Sequence, residues 1–167
     1  MARVQENGPE NPHEIRLEIA NEAALARLAA RLAMAARPGD LICLEGDLGA
    51  GKTSFARAFI HALQDDPEEV PSPTFTLLQS YETRAGLVHH FDLYRIADAA
   101  EAGPLGFEDA LGEGIVLVEW PERLGPLLLR ERLSLRLEFG PTPDSRRAIL
   151  RGFGERAERL RNIAVDG

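Results

Sequence analysis

Apolar and polar residues alternate along "EIRLEIA", Glu14–Ala20, as they do on a strand with one buried face. The period then lengthens. In "EAALARLAARLAMAAR", Leu25, Leu28, Leu32 and Ala36 share one helical face. Asn21 is placed to cap this helix, and Glu22 favours its positive amino end. Pro38-Gly39-Asp40 stops it. "LICLE", Leu41–Glu45, is almost wholly apolar, the pattern of a strand buried on both faces in a parallel sheet. After a glycine-rich turn, "KTSFARAFIHAL" predicts a helix ending near Gln64.

"DDPEEVPSPTF" is a loop by its prolines. "TLLQSYE" and "LVHHFDLYR", joined by Thr83-Arg84-Ala85-Gly86, predict a β-hairpin. "ADAAEAGPLGFEDALGEG" is short helix and turn, and "IVLVEW" is a second buried strand. "LSLRLEF" and "RRAILRGF" form a further hairpin across "GPTPDS", and "GERAERLRNIA" closes as a helix. The expected fold class is α/β: a mixed central sheet with antiparallel hairpins, flanked by helices. Residues 1–13, rich in Gly, Pro, Asn and Glu, are expected to form a flexible tail ahead of one domain at 14–167.

Composition narrows the function classes. An apolar content of 44% with 28% charged residues is that of a soluble globular chain. No apolar run approaches the roughly 20 residues of a membrane helix, and the amino end lacks a signal peptide's apolar stretch, so a cytoplasmic protein is expected. The one cysteine, Cys43, is expected to pack inside a strand. The net charge of −8 argues against tight, unaided binding to nucleic acid. Arg146, Arg147, Arg151, Arg156, Arg159 and Arg161 cluster near the carboxyl end. They read as a solvated strand edge and helix face, with a docking surface for an acidic partner or an RNA as the alternative.

One position breaks the chain's habit. Of 19 basic residues, Lys52 is the single lysine. It stands in Gly46-Asp47-Leu48-Gly49-Ala50-Gly51-Lys52-Thr53, which fits G-x-x-x-x-G-K-[ST] between a predicted strand and a predicted helix. Glycines let backbone N–H groups approach phosphate oxygens, and the new helix adds its positive end. An ammonium reaches β- and γ-phosphates under a tight loop where a planar guanidinium would not fit. The Thr53 hydroxyl can ligate Mg²⁺. The expected nucleotide-binding set is Asp47, Leu48, Gly49, Ala50, Gly51, Lys52, Thr53 and Ser54.

Mg²⁺ chemistry needs a carboxylate at the end of a neighbouring strand. Glu119 ends one apolar run and Asp92 another, making both candidate metal residues. His89 and His90 alternate across a strand, so they cannot share one metal, and either reads as a half-buried histidine. Guanine switches read their base with Asn-Lys-x-Asp, which a chain with one lysine, used at 52, lacks; ATP is therefore favoured. In "PSPTF", Pro71 and Pro73 would hold Ser72 and Thr74 outward, as in a switch loop or an ordinary turn.

Taken in order, "GDLGAGKT", "SPTF", "HFDLYR" and "EWPER" resemble the TsaE (YjeE-like) family over about residues 14–140. The resemblance implies a P-loop NTPase-like domain that binds Mg²⁺ and ATP and supports formation of threonylcarbamoyladenosine in tRNA. It implies that Lys52 and Thr53 hold Mg²⁺-ATP, that Glu119 binds the metal, and that Asp92 organises metal and attacking water. It sets Thr74 on a nucleotide-sensing loop and Trp120 near the nucleotide. It implies TsaB and TsaD as partners, with tRNA reached through them; because no arginine in the motifs is an obvious finger, weak turnover alone is expected. Arg95, Arg123 or a partner could supply an arginine finger. The alternatives from other classes are a small-molecule kinase and a nucleotide-sensing binding module.

Overall fold

Four adjacent strands near the middle of the sheet run parallel, and the apolar runs of three of them explain why. In the computed structural model, which describes residues 4–6, 14–66, 70 and 77–165, β3 (Leu41–Glu45) pairs in parallel with β6 (Gly114–Glu119). β5 (Gly86–Asp92) pairs in parallel with β6 on its far side. Ile42, Leu44, Ile115 and Leu117 face one layer of the core, while Leu41, Cys43, Val116 and Val118 face the other. Both faces are covered, so no polar alternation is possible in these strands. Cys43 is fully buried, and burial pushes its thiol up to about 12.

Among the described residues the sheet has eight strands in the order β1-β2-β8-β7-β3-β6-β5-β4. The remaining strands are β1 (Val4–Glu6), β2 (Glu14–Ile19), β4 (Leu78–Thr83), β7 (Arg132–Phe139) and β8 (Arg146–Phe153). β7 joins β3 in parallel, and the pairs β4–β5, β7–β8, β2–β8 and β1–β2 are antiparallel. The expected mixed sheet with two hairpins is therefore the architecture. Val4–Glu6, inside the segment expected as a loose tail, is an edge strand on β2; the rest of 1–13 lies outside the described residues. β5 ends at Asp92, short of the Arg95 that the pattern suggested, because Leu93 leaves the ladder and donates its N–H to the Glu119 carbonyl at 3.1 Å.

Helices α1 (Glu22–Ala35), α2 (Lys52–Ala62) and α4 (Glu155–Val165) cover one face. Asn21 caps α1 as expected, its side chain accepting from the Ala24 N–H at 2.9 Å. On the other face, α3 (Phe107–Glu113) and the 3-10 segments Ala99–Glu101, Gly103–Leu105 and Pro121–Leu127 cover only the β3–β6–β5 region. Among the described residues no helix is long and apolar enough to cross a membrane.

The carboxyl-terminal arginines are mostly structural. Arg151 pairs with the buried Glu14 at 2.6 Å, and Arg147 with Glu18 at 3.0 Å. Arg156 and Arg159 both bond Asp40, which is wholly buried. Arg161 donates to Asn162 at 2.9 Å, and Arg146 turns to the glycine-rich loop. The expected solvated strand edge and helix face holds for Arg147, Arg151 and Arg156, which stay exposed while they make these ion pairs.

Candidate nucleotide site

The glycine-rich turn leaves the carboxyl end of β3 and runs into α2, whose first residue is Lys52. Gly46 opens it at φ +138, and a Cβ there would lie 2.4 Å from the Leu137 carbonyl oxygen of β7. Only glycine fits so close to a neighbouring strand. Gly51, at φ +113, ends the turn in the left-handed region, where the helix amides begin. A cavity of about 310 Å³ opens above it, lined by Leu48, Gly49, Gly51, Lys52, Thr53, Ser54, Leu77, Asp92, Tyr94, Arg95, Glu119 and Trp120.

Lys52 is buried against its own loop. Its Nζ donates to the carbonyls of Gly46 at 2.5 Å and Asp47 at 2.9 Å, and lies 4.1 Å from the centre of the Trp120 ring. Burial holds its pKa below the usual lysine value; the nearby Glu119, Glu122, Asp92 and Asp47 carboxylates offset this in part. Trp120 directly follows β6 with φ 59 and ψ 52, a left-handed backbone that a bulky residue rarely adopts. Its N–H is held by the Leu44 carbonyl at 3.3 Å, and its ring sits 5.0 Å from that of Tyr94.

The strand-end carboxylates lie side by side. Asp92 and Glu119 are register partners on β5 and β6. Glu119 is almost wholly buried, and both its oxygens are engaged. Oε1 accepts from the Thr53 hydroxyl at 2.8 Å, and Oε2 lies 2.6 Å from His90 Nε2. Asp92 is half-buried and accepts the Tyr94 N–H at 3.1 Å. A hydroxyl and two carboxylates at the mouth of a phosphate-shaped loop are hard oxygen donors, the chemistry that suits Mg²⁺ shared with a polyphosphate.

Lys52, Thr53, Ser54, Asp92, Glu119 and Trp120 line this one cavity. The side chains of Asp47, Leu48, Ser54 and Ala50 lie on or beside the loop; Ala50 is buried beneath it and offers its backbone. Thr74, with Ser72, Pro71 and Pro73, lies outside the described residues. Arg95 lines the cavity, whereas Arg123 is used at the Ile96 carbonyl, 3.1 Å away. His90, read as a half-buried bystander, is fully buried and bonded to Glu119. Its signal was available in the period of two that sets it on the same strand face as Asp92. His89 points the other way, to Ser80 at 2.7 Å and Glu113 at 3.4 Å.

The model of the family described as "Threonylcarbamoyl adenosine biosynthesis protein TsaE" matches residues 19–149. A Rickettsia felis protein named tRNA threonylcarbamoyladenosine biosynthesis protein TsaE is 42% identical over 118 residues, 71% of this chain and 69% of that protein. The Bacillus subtilis protein of the same name is 38% identical over 138 residues, covering 82% of this chain and 83% of that one. The crystal structure of Bacillus subtilis YdiB matches with a TM-score of 0.73 at 28% identity, over 98% of this chain and 97% of that one.

Proposed function

The chain belongs to the TsaE family, and on that footing we propose that it is a cytoplasmic Mg²⁺-dependent ATPase serving threonylcarbamoyladenosine formation in tRNA. It acts on a complex of TsaB and TsaD and turns over slowly without them. The observation that carries this reading is the convergence of Lys52, Thr53 and Glu119 on one cavity at the strand–loop–helix junction. The cavity lies at the carboxyl ends of parallel strands, where ligands of open α/β sheets bind.

Each side chain then has a task. On binding ATP, the Lys52 ammonium exchanges the Gly46 and Asp47 carbonyls for β- and γ-phosphate oxygens, gaining a charged partner for a neutral one. The amides of the loop and of the α2 amino end hold the remaining phosphate oxygens. The Thr53 hydroxyl and Glu119 would hold Mg²⁺, which would supply charge neutralisation on the phosphates. Asp92 would orient water beside the metal, and Thr74 would sit on the nucleotide-sensing loop. Trp120 walls the site beside Lys52. Arg95 or a partner's arginine neutralises the γ-phosphate, and dependence on the partner accounts for slow turnover alone. The tRNA is held by the partners, in keeping with the −8 charge.

The test is ATP hydrolysis by the purified protein, alone and with TsaB, TsaD and tRNA, beside Lys52→Ala. Stimulation by the partners that disappears in Lys52→Ala is expected. Equal turnover with and without partners, or in the variant, would overturn the reading.

A further inference from the structure

Arg146 begins β8, 94 residues beyond Lys52, yet its guanidinium lies against the glycine-rich loop. Nε donates to the Ala50 carbonyl at 3.0 Å and Nη2 to the Gly49 carbonyl at 3.3 Å. Nη1 donates to the carbonyls of Pro143 at 2.8 Å and Ser145 at 2.7 Å, within the β7–β8 turn. The group also stacks over the exposed Phe139 ring, 4.9 Å from its centre. All three nitrogens are committed, two to the loop and one to the turn. The planar fork of a guanidinium can join two backbone segments this way, and an ammonium cannot.

The consequence lies in the loop's polarity. A phosphate loop works only if its N–H groups face inward and its carbonyls outward, since each inward carbonyl would repel a phosphate oxygen. In the present arrangement the Gly46 and Asp47 carbonyls are held by Lys52, and those of Gly49 and Ala50 by Arg146. Nucleotide binding, as read above, takes Lys52 away to the phosphates. Arg146 then remains as the restraint on the second half of the loop. It contacts no group that a phosphate would replace, so it keeps its grip when the site is filled.

We propose that Arg146 is a positioning residue for the phosphate loop, which makes the β7–β8 hairpin part of the nucleotide site. The inference rests on the ATP reading. It gives the carboxyl-terminal hairpin a lever on that site: anything that seats on Phe139 or the 140–145 turn also loads the Gly49 and Ala50 carbonyls.

The experiment measures binding of ATP with Mg²⁺ by calorimetry for the wild type, Arg146→Met, Arg146→Lys and Arg147→Met, with thermal midpoints of the nucleotide-free proteins. Losing two charged hydrogen bonds should weaken ATP binding by roughly tenfold to a hundredfold in Arg146→Met. Guanidinium ion added well below denaturing concentrations should restore part of that affinity, which loss of a merely structural tie would not allow. Arg146→Lys, able to reach one segment at a time, should fall between. Arg147→Met, whose partner is Glu18, should bind as the wild type does. Should Arg146→Met not fold, Arg146→Lys decides. Wild-type affinity in whichever variant folds, or weakening without guanidinium rescue, overturns the inference and leaves the ATP reading standing. A wild type that binds no ATP overturns both.

Discussion

His90 Nε2 and Glu119 Oε2 are 2.6 Å apart, both side chains buried and on adjacent parallel strands. The histidine holds one carboxylate oxygen while the Thr53 hydroxyl holds the other, so Glu119 cannot rotate. Removing the imidazole leaves a buried carboxylate oxygen without its donor, at a cost of about 1–3 kcal/mol. His90→Ala is therefore expected to raise the Mg²⁺ concentration needed for half-maximal ATP turnover by about tenfold to a hundredfold. Metal-free nucleotide binding, which relies on Lys52 and the loop amides, should change little. Calorimetry with and without Mg²⁺ separates the two; equal losses in both would show that His90 supports the fold rather than the carboxylate.

Lys52 is the single lysine, so its side-chain NMR signal needs no assignment by mutation. Burial lowers its pKa from 10.5, so in the folded, nucleotide-free protein it releases its proton before an unfolded lysine does. Between those two values the unfolded chain binds more protons than the folded one, and stability rises with pH. Lys52→Met removes this contribution, and both tyrosines remain in each protein, so the difference curve isolates residue 52. ATP favours the ammonium and should move the Lys52 titration upward. An Nζ titration at or above 10.5 without nucleotide would refute the burial argument.

The contrast between Lys52 and His90 shows what a linear sequence carries. The phosphate loop is legible because its chemistry is local: Gly46–Thr53 lies between an apolar strand and an amphipathic helix, all within neighbouring residues. Glu119 is legible as the polar end of an apolar run. Parallel pairing for the strand at 41–45 follows from its two-faced apolarity, yet its neighbours β6 and β7 are set by packing at long range. The period of two places His90 on the face of Asp92, but its partner lies 29 residues away and that of Arg146 lies 96 away, and no local period announces a register. The ion-pair partners of the arginine cluster are hidden for the same reason. Glu14, Glu18 and Asp40, which bind it, lie at the other end of the chain.

Two glycines of the loop should differ in how much alanine costs them. At Gly46 a methyl group meets the Leu137 carbonyl oxygen at 2.4 Å, and neither backbone can yield without parting β7 from the loop. Gly46→Ala should lose roughly 2 kcal/mol or more and most ATP affinity. At Gly49, φ is +80 but nothing lies within 4 Å of a new Cβ. Gly49→Ala should lose only about 1 kcal/mol, from the left-handed backbone alone, and keep measurable ATP binding. Thermal denaturation and calorimetry on both variants check this; similar losses would mean that the contact with Leu137 does not govern the loop.

Asp40, at the opposite end of β3 from the loop, should separate stability from function. Its carboxylate is wholly buried and accepts from Arg156 Nη1 at 3.2 Å, Arg159 Nη2 at 2.9 Å and the Arg37 N–H at 2.7 Å. It thereby joins α4 to the first residue before β3. Asp40→Ala leaves one backbone donor and two guanidinium groups without their acceptor. Because both arginines are partly exposed and can recover water, the expected loss is about 2–3 kcal/mol rather than the larger cost of a fully buried pair. Arg156→Met alone should lose less, since Arg159 still holds Asp40. In urea the midpoint should fall with little change in slope. Lys52, Thr53 and Glu119 lie at the far end of the strands, so ATP affinity measured well below the midpoint should match the wild type. A large loss of affinity in folded Asp40→Ala would show that the β3 start and the phosphate loop move as one unit, which nothing in the bonding of either end requires.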